Sequence, residues 1–373
     1  MKKNIKVKAA VLLVLVLIFN LFITGCGKEK EPAPGPDLTA SATDEPLPIV
    51  TPPGTLPNAS YLFSVYVIDV GQGHSVLVES NKEYMLIDSG EREYASTVKD
   101  FLKKHNVDKL KYAVASHPHS DHMGAMADII NSVSIETFIM PDAQNNTDAF
   151  ERMLQALNDK KTQVSIPNVG DKLTLGNAEI TILAPSKGQH LNLNDTSIGM
   201  RIAAKNSSFI ITGDATTTSE KEMIDSKLTL DSDVMLVPHH GSESSSSRRF
   251  IEAVSPSVGI ICVGADNPYG HPDPDVVQRY TDAGIPLYRT DVYGTICIGF
   301  TSGTYYISTD KDGTEPTTAN SNKPDTEYIG NKKSHKYHLP TCENLPSEKN
   351  QVIFHSIEEA EENGYEPCGN CMK

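Results

Sequence analysis

From residue 61 onward the chain alternates short apolar runs with polar tips, the pattern of a sheet-rich domain rather than a helical bundle. Residues 61–70, 76–79 and 84–87 read as strands, 96–105 as a helix, and 112–115 as a short buried strand. Further runs at 179–184, up to Ala204, 209–212, 233–238 and 257–263 repeat the scheme. Strand, helix and strand in succession predict an α/β sandwich. The N-terminus follows another pattern. Lys2, Lys3, Lys6 and Lys8 precede an apolar run from Ala9 to Ile23, broken by Asn20, and Thr24-Gly25-Cys26 follows. A basic region, an apolar core and small residues read as a secretory signal over 1–25, since the run is short for a membrane span. Residues 26–59, rich in Pro, Thr and acidic side chains, show no apolar periodicity and read as a disordered tether.

The apolar run 112–115 ends in His117-Pro118-His119-Ser120-Asp121-His122. Three imidazoles and a carboxylate this close are costly to bury unless something pairs with them, and a divalent cation is the natural partner. Residues two apart on extended backbone share a side, so His117 and His119 can hold one ion, while Asp121 and His122 at the following turn can reach a second. Pro118 keeps His117 out of the helical region. Two more strands deliver chemistry at their tips: 209–214 ends in Thr-Gly-Asp214, and 233–242 ends in Pro-His239-His240-Gly-Ser. Asp214 also has an ordinary reading, as the N-cap of a helix beginning near Thr217. Adjacent residues at a strand end point opposite ways, so either His239 or His240 can be the one that faces a metal.

The HxHxDH motif resembles the signature of the metallo-β-lactamase superfamily, and VIDVGQGHSVLVE with VPHHGS resembles the corresponding domain of ComEC competence proteins. The likeness covers residues 60–308 and implies a four-layer αββα sandwich with a one- or two-metal hydrolytic site. It implies His117, His119, Asp121, His122, Asp214 and His240 as ligands of two divalent ions, Zn or Mn, with Asp214 bridging them and Asp195, within NDTSI, a weaker ligand. His190 is expected to be a loop residue. Asp69 and Asp88 are ordinary turn candidates, and the resemblance implies that Asp88 supports the metal loop by hydrogen bonding; Asp69 is placed with it. His74 stands where the relatives commonly carry Asp. His239 and His271, the latter in a NxYGHP-like stretch, are expected beside the substrate with Asp121 in the catalytic set. Arg248 and Arg249 either open a solvated helix or attract an anion.

Beyond a polar linker at 309–326, residues 327–373 are too few to build much core without a staple. His338-x3-Cys342 and Cys368-x2-Cys371 supply ligands for a structural Zn, the alternative being a Cys368–Cys371 disulfide. The segment, with its GYxPCxxC ending, resembles the zinc-binding domain of the DNA-repair protein Ada, though a histidine stands at one cysteine position. That carries over the zinc and the fold but not methyl transfer. Cys262 and Cys297, in apolar strands, are expected to be core thiols.

Composition adjusts this picture. The chain has 33 basic and 48 acidic residues, net −15, and loss of the four N-terminal lysines would make it 29 − 48 = −19. Such acidity argues against a large nonspecific nucleic-acid footprint but not against a small phosphate site. Ile23-Thr24-Gly25-Cys26 looks like a bacterial lipobox with Cys26 lipidated. The expectation is thus a lipid-anchored, metal-dependent hydrolase of phosphodiesters outside the cell. Extracellular DNA leads as substrate, teichoic-acid or small phosphoesters are the alternatives, a non-catalytic metal-containing DNA-binding lipoprotein is the contrasting class, and no obligate protein partner is inferred.

Overall fold

The computed structural model describes residues 49–51, 54, 56–188, 190–313, 328–340, 342, 344–354, 360, 365–369 and 371. The signal segment, Cys26, most of the tether and most of the linker lie outside the described residues. Among those described, no helix is long and apolar enough to cross a membrane.

Two mixed sheets face each other. The first has nine strands, ordered Ile49–Val50, Tyr305–Thr309, Ile296–Phe300, Phe63–Val67, Val76–Ser80, Glu83–Ile87, Lys109–Val114, Ser134–Ile139 and Gln163–Ser165. The second has seven, ordered Leu287–Arg289, Val258–Ile261, Val234–Leu236, Ser207–Ile211, Gly199–Ala204, Ala178–Ala184 and Lys172–Leu175. Alternation along each strand sorts side chains between layers. Val65 and Val67 join Phe209, Ile211, Val234 and Leu236 in the core between the sheets. Ile68, Leu77 and Leu86 face outward onto Val98 and Leu102 of the helix Ala95–Lys104 and Phe150 and Met153 of Asp148–Lys160. Ile210 and Met235 face the other way, onto Met223, Phe250 and Val277 of three further helices. The result is the four-layer αββα arrangement. Burying a side chain of this size stabilises by roughly 1.5–3 kcal/mol, so the two sheets lock together before any metal is considered.

The C-terminal residues form a separate four-stranded sheet, Gln351–Phe354, Tyr328–Asn331, Lys336–His338 and Glu366–Pro367. Its core is a small cluster of Tyr328, Tyr337, Phe354 and Ala360.

Candidate metal centre

Parallel strands bring the polar tips to one end of the sandwich, the carboxyl ends where open α/β sheets commonly place their sites. Ile87 pairs opposite Val114, so Glu83–Ile87 and Lys109–Val114 finish side by side. Just beyond, Asp88 turns into the left-handed region (φ 60°), a conformation Asp tolerates better than most residues. Its carboxylate then lies beneath the histidine loop. Asp88 Oδ1 accepts from Ser116 N–H at 2.7 Å, and Oδ2 accepts from Ser116 Oγ at 2.7 Å and stands 2.8 Å from His122 Nδ1. A carboxylate on one ring nitrogen fixes the orientation of the ring, so that Nε2 would offer its lone pair to a cation that displaced its proton. Asp88 thus ties the histidine loop down at Ser116 and His122.

The second sheet contributes Asp214 and the histidine pair. Gly213 (φ 56°) lets the chain pass so close to Ser197 that a Cβ there would sit 3.0 Å from its side chain. Asp214 is almost fully buried and does not cap the helix Thr217–Asp225; the Thr216 side chain does so, accepting from Thr218 N–H. His239 and His240 both take left-handed φ, 52° and 55°. Two adjacent non-glycine residues so placed cost roughly 1–2 kcal/mol each, strain of the kind that gathers at functional turns. Their rings part around Asp214. His240 Nδ1 donates to Cys262 O at 2.8 Å, and its Nε2 lies 3.2 Å from Asp121 Oδ2 and 3.6 Å from Asp214 Oδ1. His239 Nε2 lies 3.6 Å from the other oxygen, Oδ2, and its Nδ1 is 3.0 Å from Ser244 Oγ.

Two metal-sized groups therefore share Asp214. One is His117, His119 and Asp214; the other is Asp121, His122, Asp214 and His240. Asp214 Oδ2 is 3.7 Å from His117 Nε2, while Oδ1 is 3.0 Å from His122 Nε2. His122 Nε2, His240 Nε2 and Asp214 Oδ1 are buried and close to one another, yet none makes a well-aligned hydrogen bond. Ligand atoms about 2.1 Å from a common tetrahedral centre lie roughly 3.4 Å apart, so these spacings and orphaned atoms fit a cation well. In the other group His117 Nε2 and His119 Nδ1 stand 2.9 Å apart.

The electrostatics couple these carboxylates and imidazoles closely. Burial alone would raise the Asp214 carboxyl, yet His122, His239, His240 and His117 hold it well below the usual range. Burial likewise opposes charging His122, but Asp214, Asp121 and Asp88 hold it well above its ordinary value. His117, deprived of water and next to His122, falls well below its own.

The remaining candidates fall elsewhere. Asp195 joins neither group: its Oδ1 accepts from Thr216 Oγ1 at 2.6 Å, bracing the start of the helix Thr217–Asp225. Asp69 accepts from Gly71 N–H at 3.2 Å and closes its own turn instead of supporting a ligand. His190 is a loop residue whose Nε2 lies 3.0 Å from Ser186 O. Arg248 opens a helix and pairs with Asp282 at 3.1 Å. His271 sits at the rim, its ring centre 6.0 Å from that of His239, and burial with His239 and His240 lowers it to about 4.

His74 enters where sequence reasoning left its role open. It is 1% exposed, lies 3.3 Å from Asp88 Oδ2, and forms a third compact group with Asp88 and His122. Gly73 makes this possible, since a Cβ there would stand 2.6 Å from Asp121 O. Sequence reasoning missed Asn194, Asn145, Gln72 and Tyr269, which with His239 and His271 line a cavity of about 360 Å³ over the metal groups. Nothing but their place in loops flanking the motifs pointed to them. A second cavity of about 630 Å³ adjoins it, with Asp69, Glu91, Glu93, Asp121, Asp266 and Asp291 among its lining residues and Lys311 the one cation among the described residues that line it.

In the C-terminal sheet, His338, Cys342, Cys368 and Cys371 bring their ligand atoms within 4.8 Å of one another. His338 Nδ1 is 3.3 Å from Cys342 Sγ, and His338 Nε2 is buried without a partner. The cysteines are not joined in a disulfide. Burial, with Cys342 and Cys368 beside it, pushes the Cys371 thiol up to about 11, as expected of thiols crowded where a cation would take their protons. Cys262 is a core thiol as expected, while Cys297 is only partly covered.

Residues 68–265 match the metallo-beta-lactamase superfamily, and the chain belongs to it. Residues 318–373 match the metal binding domain of Ada. Among curated proteins, the chain is similar to the competence protein ComA of Neisseria gonorrhoeae (30% identical, 64% of this chain and 33% of the relative). It is likewise similar to ComE operon protein 3 of Bacillus subtilis (26% identical, 62% and 32%). It thus spans about a third of the length of these relatives. A solved metallo-beta-lactamase fold protein, YhfI from Bacillus subtilis, aligns with a TM-score of 0.45 at 14% identity, over 66% of this chain and 99% of that one.

Proposed function

We propose that this chain is a metal-dependent phosphodiesterase, anchored outside the cell by a lipid on Cys26 and acting on DNA in competence. The observation that carries the hydrolase reading is Asp214, whose two carboxylate oxygens face two different sets of histidines. His117, His119 and Asp214 would hold one divalent ion, and Asp121, His122, Asp214 and His240 the other. When bound, such a pair polarises a phosphoryl oxygen and lowers the pKa of water. The protein's own groups do the rest. Asp88 holds His122 in register, and Cys262 O holds His240. His239, its pKa lowered by burial, stays neutral and offers a hydrogen bond rather than a proton. With Ser244 Oγ donating to Nδ1, its Nε2–H is directed to the cavity, where it can meet a phosphoryl oxygen as negative charge accumulates. Exchanging the ends of the Asn194 amide would let its orphaned Oδ1 accept that proton in the resting state. His271 is neutral for the same reason and serves at the rim as a polar contact.

Similarity to competence proteins supports DNA as substrate. The acidic second cavity favours another reading, because a long polyanion crossing it would be repelled, whereas a teichoic-acid head group or small phosphoester would not. Hydrolysis of bis-p-nitrophenyl phosphate with Mn²⁺ or Zn²⁺, abolished by Asp121→Ala, is the expected result. Activity that survives this change contradicts the mechanism, and inactivity with every metal favours a binding lipoprotein. Comparing single-stranded DNA with a teichoic-acid fragment separates the two substrates.

A further inference from the structure

The C-terminal sheet touches the hydrolase domain beside the strained histidine turn. Tyr328, 2% exposed and the first residue of its strand, donates its hydroxyl to Glu243 Oε2 at 2.9 Å. Glu243 lies between Ser242 and Ser244, and both neighbours are tied to His239. Ser242 N–H donates to His239 O at 2.8 Å, Ser244 Oγ stands 3.0 Å from His239 Nδ1, and the two serine hydroxyls are 3.1 Å apart. Burial first, and Glu243 second, raise the Tyr328 hydroxyl, so it remains a donor. On its other side Tyr328 belongs to the zinc group's scaffold. The next residue, Ile329, pairs with His338, and the Tyr328 and Tyr337 rings meet edge to face at 6.1 Å. Tyr337 O accepts from Cys368 N–H at 2.9 Å. Two zinc-group residues thus hold the strands that seat Tyr328.

We infer that Tyr328 is a positioning residue for the hydrolase centre: through Glu243 the C-terminal module holds the 242–244 segment that orients His239. The effect on catalysis rests on the hydrolase reading; the contact itself does not.

The test uses the full chain with Tyr328→Phe, Glu243→Ala, Glu243→Gln and the double variant Tyr328→Phe/Glu243→Ala. Hydrogen exchange over residues 238–247 is expected to quicken roughly three- to ten-fold in Tyr328→Phe, the range of one lost hydrogen bond, with Lys109–Val114 unchanged. For bis-p-nitrophenyl phosphate, kcat is expected to fall by roughly the same factor while KM holds. Glu243→Ala should lose at least as much as Tyr328→Phe, Glu243→Gln should stay near the parent because it keeps an acceptor oxygen, and the double variant should be no worse than Glu243→Ala alone. Unchanged exchange over 238–247 in Tyr328→Phe overturns the inference, as does a double variant whose effects simply add. A parent chain with no hydrolysis fails the catalytic reading alone, and the exchange measurement still decides the contact.

Discussion

The two metal-binding regions of this chain reach similar ligand crowding by opposite routes. In the sandwich, ligands sit on the ends of strands already locked by cores on both faces of both sheets, and Asp88 and Cys262 O hold the imidazoles from behind. Among the described residues of the C-terminal sheet the buried apolar cluster is four residues, and the cysteines and His338 stand beside it as a staple. The first site is prepared by the fold; the second prepares its fold. A metal should therefore add function to one region and structure to the other.

The largest expected break in this contrast is Asp214→Ala, which removes the carboxylate common to both groups. Metal content should fall towards one ion per chain, held by the C-terminal group, and hydrolysis should drop by roughly 10³-fold or more, while the melting of the sandwich changes little. Next comes Cys368→Ser. Near-ultraviolet signals from Tyr337 and Tyr328 should vanish as the small sheet melts, with the sandwich still folding. Glu220→Ala sharpens the comparison from the stability side. That buried carboxylate, pushed up to about 7 by burial, accepts from the Ser246 and Ser247 N–H groups at the start of the helix Arg248–Val254. Losing it leaves buried donors unpaired, a cost of roughly 3 kcal/mol read as a lower denaturation midpoint. Asp88→Asn should weaken metal binding in the hydrolase centre by roughly 10–100-fold in titrations, with the fold intact. The smallest effect is His271→Asn. His271 falls from 6.5 to about 4 on folding, so the unfolded chain binds more protons between those values. Its contribution is present above pH 6.5 and is lost as pH falls towards 4, so acid unfolding in that window should become slightly shallower in the variant.

Much of this could be read from the chain itself because the ligands come in tight local runs. HxHxDH, TGD and PHHG each close an apolar strand, and strand tips are places where periodicity and chemistry meet. What depends on distance along the chain was less legible. The resemblance put Asp195, within NDTSI, forward as a weaker ligand, but its partner is Thr216, across a loop. Asp69 and Asp88 share a Gly-flanked setting, and only strand pairing puts Asp88, not Asp69, beneath His122. The part played by His74 rests on a close approach that Gly73 permits. The acidic cavity draws its lining from six separate stretches of chain, so no local pattern could announce it.

The proposed hydrolase centre depends on two ions sharing Asp214. Anomalous diffraction from crystals grown with Mn²⁺ tests it most directly. Two peaks roughly 3.5–4 Å apart are expected, one beside Oδ1 among Asp121, His122 and His240, the other beside Oδ2 with His117 and His119. A single peak, or peaks that leave Asp214 out of contact, would contradict it.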